Sequence, residues 1–259
     1  MSPVETAQPL REWYVISLRP QGQHAGMRRA AAKHGARVFA LSTLVLQPLP
    51  APLMLKKALA CDRVIVTSPV AIQMAHAQQP LQCLPNQRWF VLGKTSANAL
   101  NRLGIANVVC PAAGANSEAL LACPELADIH GAVIGLITAP NGRDLLHQEL
   151  QRRGAQLLIA NVYQRVATPP ALARRQALQA LPTKTALLVS SAEALTVLWH
   201  SLENTEKNAL RVRPAIAAST RLATVLTDFG FSNVLVADDA RPQSLLNRLV
   251  NHAETARLE

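Results

Sequence analysis

The fold of this chain is decided by a stretch that occurs twice, first as Val64-Ile65-Val66-Thr67-Ser68-Pro69 and again, 123 residues later, as Leu187-Leu188-Val189-Ser190-Ser191-Ala192. Each copy is an apolar run of strand length followed by a hydroxyl-bearing turn. This is the pattern of a buried strand that leads into a helix. Two such copies indicate an internal repeat.

Other segments repeat in the same order. The matches are Val15–Arg19 with Ile134–Thr138 and Gly35–Val38 with Gly154–Leu157, both at an offset of 119, and Leu100–Val108 with Leu226–Val234 at an offset of 126. The offset grows only between elements, as insertions in surface loops would make it. Residues 13–126 and 133–250 therefore form two repeats, which predict two similar lobes with a ligand-binding cleft between them.

The composition favours parallel α/β lobes. The chain has 259 residues, enough for two domains, and 49% of them are hydrophobic but only 3% aromatic. Aliphatic cores suit sheets that are covered by helices on both faces, and they argue against a chain dominated by antiparallel sheet.

The formal net charge of +10, from 26 basic and 16 acidic residues, favours an anionic partner. A field of this sign draws anions into concave surfaces, so nucleic acid, a small polyanion and a charge without specific function are all open. The basic residues form no run or tail, which favours solvated helix faces over a DNA-reading element.

The cysteines and the N-terminal residues favour a soluble, cytoplasmic protein. The four cysteines, Cys61, Cys83, Cys110 and Cys123, form no Cys-x-x-Cys pair, and we interpret them as reduced thiols rather than metal ligands. Residues 1–12 lack the order of a signal peptide, and no apolar run approaches the ~18–20 residues that span a bilayer. We expect no membrane partner.

Each repeat alternates strands with helices, which implies parallel sheets with right-handed crossovers. The second strand of each repeat, Val38–Leu46 and Leu157–Val166, is the longest. A strand of that length can leave one sheet and enter another, so these two strands are the expected connections between the lobes.

Ligands of open parallel sheets bind beyond the carboxyl ends of the strands, next to helix N-termini. Hydroxyl residues cap such helices, and free backbone N–H groups there hold carboxylates or phosphates. Capping alone explains any single turn, but several such turns in a chain of this charge predict an anion-binding site. The candidate residues are Arg19, Thr67, Ser68, Gly93, Lys94, Ser96, Gly142, Arg143, Ser190, Ser191, Ser219 and Arg221.

Familiar catalytic motifs do not fit. Gly93-Lys94-Thr95 resembles the end of a P-loop, but that motif requires glycine at position 88, where the chain has arginine. His24 lies in the first strand-to-helix turn, and we interpret it as a solvated polar residue rather than a base.

Tyr163 is the candidate catalytic residue. It is one of only two tyrosines and lies near the end of the second long strand, which is expected to cross between the lobes. A phenol there can donate a hydrogen bond, although an ordinary pKa of ~10 makes it a weak acid. Packing at a domain junction is the alternative interpretation.

The order of these segments resembles the uroporphyrinogen-III synthase family over about residues 13–250. The resemblance is carried by Leu18-Arg19-Pro20, Val66–Pro69, Val91–Leu100 with Gly104, Asn141–Leu146, Leu150 with Arg153-Gly154-Ala155, Val162–Arg165, Val189–Ser191 and Phe229–Phe231. Each segment alone is weak, and their order and spacing together are specific.

The resemblance implies an α/β, HemD-like fold: two similar, pseudo-duplicated parallel-sheet lobes of flavodoxin-like topology, joined by two crossing strands. The first lobe would combine residues 1–38 with 168–259, and the second would comprise residues 39–167. A monomer is expected, and a transient contact with the preceding pathway enzyme is left open.

The resemblance also implies a hydro-lyase of haem biosynthesis that uses no metal or cofactor. Its substrate would be the linear hydroxymethylbilane, a tetrapyrrole with eight carboxylates, which is closed to uroporphyrinogen III with loss of water and inversion of the last ring. Tyr163 matches the family's tyrosine, which assists departure of the hydroxyl group. The turns at Thr67-Ser68, Ser96 and Ser190-Ser191 match turns that hold the substrate.

The chain departs from the family pattern at three places. Leu222 and Ser96 stand where threonine is frequent, and Thr138-Ala139 stands where Arg-Gly is frequent. A non-catalytic, two-lobed cytoplasmic protein that binds a small polyanion is the alternative. A nucleic-acid-binding module is prompted only by charge and has no aromatic stacking platform.

Overall fold

The computed structural model describes residues 8–112, 114, 116–140 and 144–258. The chain forms two compact units. Unit 1 comprises Met1–Val45 and Val166–Glu259, and unit 2 comprises Leu46–Arg165.

Unit 1 contains a parallel sheet and its covering helices. Its strands are β1 (Tyr14–Ser17), β2 (Arg37–Ala40), β10 (Thr185–Val189), β11 (Ala215–Ala217) and β12 (Val234–Val236), and its helices are α1 (Ala25–Lys33), α7 (Leu172–Gln179), α8 (Ala192–Ser201), α9 (Asn204–Arg211), α10 (Thr220–Asp228) and α11 (Pro242–Leu258). The sequence analysis does not predict α7 or α9, because both helices are short and bury few residues. The buried residues are Leu178 on α7 and Glu206 and Leu210 on α9.

Unit 2 repeats this plan. Its strands are β4 (Arg63–Val66), β5 (Arg88–Val91), β6 (Val108–Val109), β7 (Val133–Thr138) and β8 (Gln156–Asn161), and its helices are α2 (Pro52–Leu59), α3 (Pro69–Gln78), α4 (Lys94–Arg102), α5 (Ser117–Leu121), a 3₁₀ turn at Pro124–Leu126 and α6 (Asp144–Arg152). The strands β3 (Leu44–Pro48) and β9 (Tyr163–Ala167) form a separate two-stranded sheet.

The strand order is the same in both five-stranded sheets and confirms the predicted fold class. Unit 1 has the order β2-β1-β10-β11-β12 and unit 2 the order β8-β7-β4-β5-β6. If β1 or β7 is counted as strand 1 of its sheet, and β2 or β8 as strand 2, both sheets have the flavodoxin-like order 2-1-3-4-5. Each sheet therefore takes two strands from one repeat and three from the other.

The two long strands of the sequence analysis are each two strands. The run 38–46 contains β2 and β3, and the run 157–166 contains β8 and β9. The chain passes from unit 1 to unit 2 between Val45 and Leu46 and returns between Arg165 and Val166. A division after residue 38, as expected from the sequence, would cut through β2, which pairs with β1 along its whole length. Ser42 and Thr43 lie at the first interruption, but Asn161, Gln164 and Arg165 lie within the strands of the second run, so polarity alone does not locate the break.

Both faces of each sheet are buried. In unit 1, Ile16 and Leu187 lie in the cluster on one face, whereas Val15 and Leu188 lie in the cluster on the other. In unit 2, Val64 and Val66 face one cluster and Ile65 the other. Since successive strand side chains point to opposite faces, continuous apolar runs produce two cores per sheet.

Gly135 permits a close approach that has no counterpart in repeat one. A Cβ atom at this position would lie 2.7 Å from the carbonyl carbon of Ala58 and closer still to its oxygen, so the backbone of α2 packs directly on β7. The corresponding residue of repeat one, at the offset of 119, is Ile16. Close packing of α2 therefore explains why the first strand of repeat two has glycine at a buried position.

We expect Gly135→Ala to destabilise the protein by at least about 2 kcal/mol, because the new methyl group meets backbone that must shift. Chemical denaturation followed by circular dichroism measures the change. Gly26→Ala is the matched control: its Cβ would make only ordinary contact with Pro242, 3.8 Å away, and alanine favours the helix. Equal stability of the two variants would contradict the close approach.

Candidate functional site

The predicted ligand-binding residues lie at the carboxyl ends of the parallel strands. In unit 2, Thr67 and Ser68 follow β4, and Gly93 and Lys94 follow β5. In unit 1, Ser190 and Ser191 follow β10, and Ser219 follows β11. Because parallel strands end at the same edge of their sheet, each unit gathers its candidates at one edge, which we call the carboxyl edge of that unit.

A hydrogen bond joins Tyr163 to Ser68 in unit 2. The phenol oxygen of Tyr163 lies 3.3 Å from Ser68 Oγ, and Tyr163 is only 5% exposed. Ser68 is also the N-cap of α3, since its Oγ accepts a hydrogen bond of 3.0 Å from the backbone N–H of Ala71. The tyrosine predicted to be catalytic and a turn residue predicted to bind substrate are thus in direct contact.

Thr67 has a buried partner that the sequence did not reveal. Its Oγ1 donates to Oγ1 of Thr138, at 2.9 Å, and both side chains are buried. Thr138 is the last residue of β7, which pairs with β4. The Thr138 that replaces the family's frequent arginine therefore stabilises the turn that carries Ser68.

The start of α4 presents backbone N–H groups rather than side chains. Gly93 is its N-cap without any side-chain cap, Lys94 is exposed, and Ser96 is buried at 4% exposure. The positive end of the helix dipole and the Lys94 ammonium group both favour an anion there. Gly142 and Arg143, predicted for the same unit, lie outside the described residues.

The corresponding turns of unit 1 are helix caps. Ser191 Oγ accepts from the N–H of Ala194 at 3.2 Å, and Ser219 Oγ accepts from the N–H of Leu222 at 3.4 Å. Ser190 is half-buried, and Arg221 is exposed in the first turn of α10. Leu222 itself is buried against the core of unit 1. A hydrophobic contact has therefore replaced the family's frequent hydroxyl at that position.

Arg19 follows β1 and is partly buried. Its Nη2 donates to the carbonyl oxygen of Ala240, at 2.8 Å, whereas its Nε is buried and has no hydrogen-bond partner within the described part of the chain. Burial lowers the pKa of the Arg19 guanidinium. An unpaired buried donor costs free energy.

The interpretation of His24 as a solvated residue is wrong. His24 is 5% exposed and lies between two hydroxyls, with Nδ1 3.0 Å from Ser17 Oγ and Nε2 2.7 Å from Ser42 Oγ. Burial lowers the pKa of His24, and so do the neighbouring Arg28, Arg19 and Arg174 in that order. The sequence placed His24 in the right turn but gave no sign that Ser42, in the connection from β2 to β3, would cover it.

Two general findings concern the described residues. Among residues 8–112, 114, 116–140 and 144–258, no group of three or more His, Cys, Asp and Glu side chains could hold a metal ion. Within the same residues, no helix is both long and apolar enough to cross a membrane.

Two doubly wound units, each with a sheet built from strands of both repeats, define a class of two-unit parallel α/β proteins. Residues 26–247 match the family model of uroporphyrinogen-III synthase HemD. The chain belongs to the uroporphyrinogen-III synthase family, as its sequence resemblance predicted.

Curated relatives agree with this assignment. The chain is 33% identical over 195 residues to the uroporphyrinogen-III synthase of Salmonella typhimurium and 29% identical over 196 residues to that of Escherichia coli. Each match covers 73% of this chain and 78% of the relative. These similarities favour the enzyme over a non-catalytic binding protein.

Solved structures have the same fold. A mutant uroporphyrinogen III synthase from the extremely thermophilic bacterium Thermus thermophilus gives a TM-score of 0.60 at 20% identity and covers 94% of this chain and 99% of its own. The synthetase of Helicobacter pylori gives 0.63 at 14% identity, covering 93% and 99%.

The buried His24 predicts a pH dependence of stability. Its folded pKa is below the ordinary value of 6.5, so the folded chain binds fewer protons than the unfolded chain between these two pKa values. Stability therefore falls as the pH drops through 6.5 towards the lowered pKa, and His24 contributes no pH dependence well above 6.5.

Thermal stability should fall as the pH is lowered from about 7.5 to about 5, and we expect this fall to be smaller in His24→Gln. Thermal unfolding of both proteins across this range measures it. His34→Gln is the comparison, because burial and then Lys33 also lower the pKa of His34, although that residue is more exposed. An unchanged pH dependence in His24→Gln would show that the imidazole titrates normally in the folded protein.

Proposed function

We propose that this chain is a cyclising hydro-lyase that converts hydroxymethylbilane to uroporphyrinogen III with loss of water and inversion of the last ring. Membership of the uroporphyrinogen-III synthase family supports this reaction. The Ser68–Tyr163 contact is the observation on which we assign the reaction to particular residues.

The reaction asks the protein for a hydrogen-bond donor and for positioning. The pyrrole nitrogen lone pair expels hydroxide from the neighbouring CH₂ group, and a donor beside the departing oxygen stabilises its developing charge. Holding a flexible chain of four rings in one conformation then determines which carbon of the last ring closes the macrocycle.

We assign Tyr163 as that donor. Ser68 Oγ already accepts the N–H of Ala71, so its own proton is available for the phenol oxygen of Tyr163. A phenol that accepts from Ser68 keeps its own proton for a ligand. Packing against the unit 2 core fixes the ring, which reduces the entropy lost on binding.

The substrate carboxylates match the charge and the helix starts. The net charge of +10 attracts a polyanion. The first turns of α3, α4, α8 and α10 direct backbone N–H groups at the carboxyl edges of their units, and such groups bind carboxylates. We assign Arg19, Lys94 and Arg221 as supporting cations, and Thr67, Ser96, Ser190, Ser191 and Ser219 as the residues that shape these turns.

The mechanism needs no metal or cofactor, because the electron-rich pyrrole ring itself drives departure of the hydroxyl group. We further propose that the protein acts in the cytoplasm as a monomer, receiving its substrate from the enzyme that makes it.

The test of the reaction is the isomer formed. Hydroxymethylbilane generated in situ should give the type III product with the purified protein, whereas without enzyme it closes to the type I isomer. Chromatography of the oxidised products separates the two isomers. Type I alone in the presence of folded protein would refute the proposed function.

We expect Tyr163→Phe to lower kcat by about ten- to a thousandfold, the range for a lost hydrogen-bond donor in a transition state. Stability should change little, because only the 3.3 Å bond to Ser68 is lost. Tyr14→Phe is the matched control: Tyr14 accepts from Arg37 at 3.0 Å, at the start of β1 and thus away from the carboxyl edge. Turnover unaffected by Tyr163→Phe would remove this residue from the mechanism.

A further inference from the structure

Three arginines lie near His24 at the carboxyl edge of unit 1. Arg19 follows β1, Arg28 lies in α1, and Arg174 lies in α7. All three are near enough to His24 to lower its pKa. None of the three forms a salt bridge with the carboxylates of the described residues. Positive charge is therefore concentrated here without a described acidic partner.

Arg174 is held in place although it is exposed. Its Nη2 donates to the carbonyl oxygen of Ala40, the last residue of β2, and its guanidinium lies 4.4 Å from the centre of the Phe39 ring. A guanidinium that is stacked and hydrogen-bonded loses little conformational entropy when it binds a further ligand. Its remaining N–H groups can serve an anion.

Ser42 lies two residues beyond Ala40 and is half-buried. Its Oγ is 2.7 Å from His24 Nε2, and the other ring nitrogen is 3.0 Å from Ser17 Oγ, which is buried. In one tautomer Ser17 donates to Nδ1 and Nε2–H donates to Ser42. Ser42 then accepts from the ring, and its own proton is free to donate outward.

We infer that Ser42 and Arg174 form a carboxylate-binding subsite of unit 1, that Arg28 adds to its positive potential, and that His24 positions the Ser42 hydroxyl. This inference rests on the proposed function, since it takes one carboxylate of the tetrapyrrole as the ligand. A hydroxyl donor beside a fixed arginine is well suited to a carboxylate, which accepts both charged and neutral hydrogen bonds.

The first test separates binding from turnover. Arg174→Gln and Ser42→Ala should each raise KM for hydroxymethylbilane, Arg174→Gln by roughly tenfold, the effect of one charge-assisted hydrogen bond. Their kcat and type III product should stay close to those of the unsubstituted protein. Arg29→Gln removes the same charge from the neighbouring position on α1 and should leave KM within about twofold.

The second test asks whether His24 acts through Ser42. His24→Leu should raise KM as much as Ser42→Ala does, and the double variant should be no worse than either single variant. His24→Gln can both accept and donate a hydrogen bond and should restore part of the lost affinity. Additive increases in KM in the double variant would overturn the positioning role, as would equal KM values for His24→Leu and His24→Gln.

Failure of this inference is distinct from failure of the proposed function. If the unsubstituted protein makes the type III isomer but Ser42→Ala and Arg174→Gln keep its KM, only the subsite is refuted. If the unsubstituted protein makes no type III isomer, the function itself fails and no substrate carboxylate binds there. Thermal unfolding of each variant identifies any loss of affinity that arises from misfolding. If a larger substitution misfolds, the KM of Ser42→Ala, the smallest change, decides whether the subsite exists.

Discussion

The parallel pairing of the first strand of each repeat with the fourth strand of the other is the constraint on which the remaining structure depends. β1 pairs with β10 in unit 1, and β7 pairs with β4 in unit 2. Neither repeat builds a sheet by itself. Residues about 70 to 220 positions apart are therefore neighbours at each carboxyl edge, as in the Thr67–Thr138 and Arg19–Ala240 hydrogen bonds.

This exchange also makes the contact assigned to catalysis. Ser68 comes from repeat one and Tyr163 from repeat two, yet both belong to unit 2. The residue of repeat one that corresponds to Tyr163, at the offset of 119, is Leu44, which is fully buried in the core of unit 1. The duplicated fold thus offers two equivalent positions, and only one of them carries a phenol.

Three of the candidate ligand-binding residues are also helix caps. Ser68, Ser191 and Ser219 all accept a backbone N–H of their own helices, so their hydroxyl lone pairs are partly used. What each turn still offers is the unpaired backbone N–H groups of its first helical turn. Tyr163 and His24 instead contact side-chain hydroxyls, whereas Arg19 donates to a distant backbone carbonyl and leaves its Nε unpaired within the described residues.

The sequence by itself determined the repeat, the parallel α/β class, the family and the edge at which the candidate binding residues lie. Apolar periodicity, turn residues and strand order are local or nearly local signals, and they locate Thr67, Ser68 and Ser191 directly. Only the tertiary structure decided where the long apolar runs divide, that His24 is buried between Ser17 and Ser42, and that Arg174 reaches the same edge. Those facts depend on which distant strands pair and which helices cover them. Hydrophobicity alone does not specify which strands pair, because a strand buries the same apolar surface beside either of two possible partners.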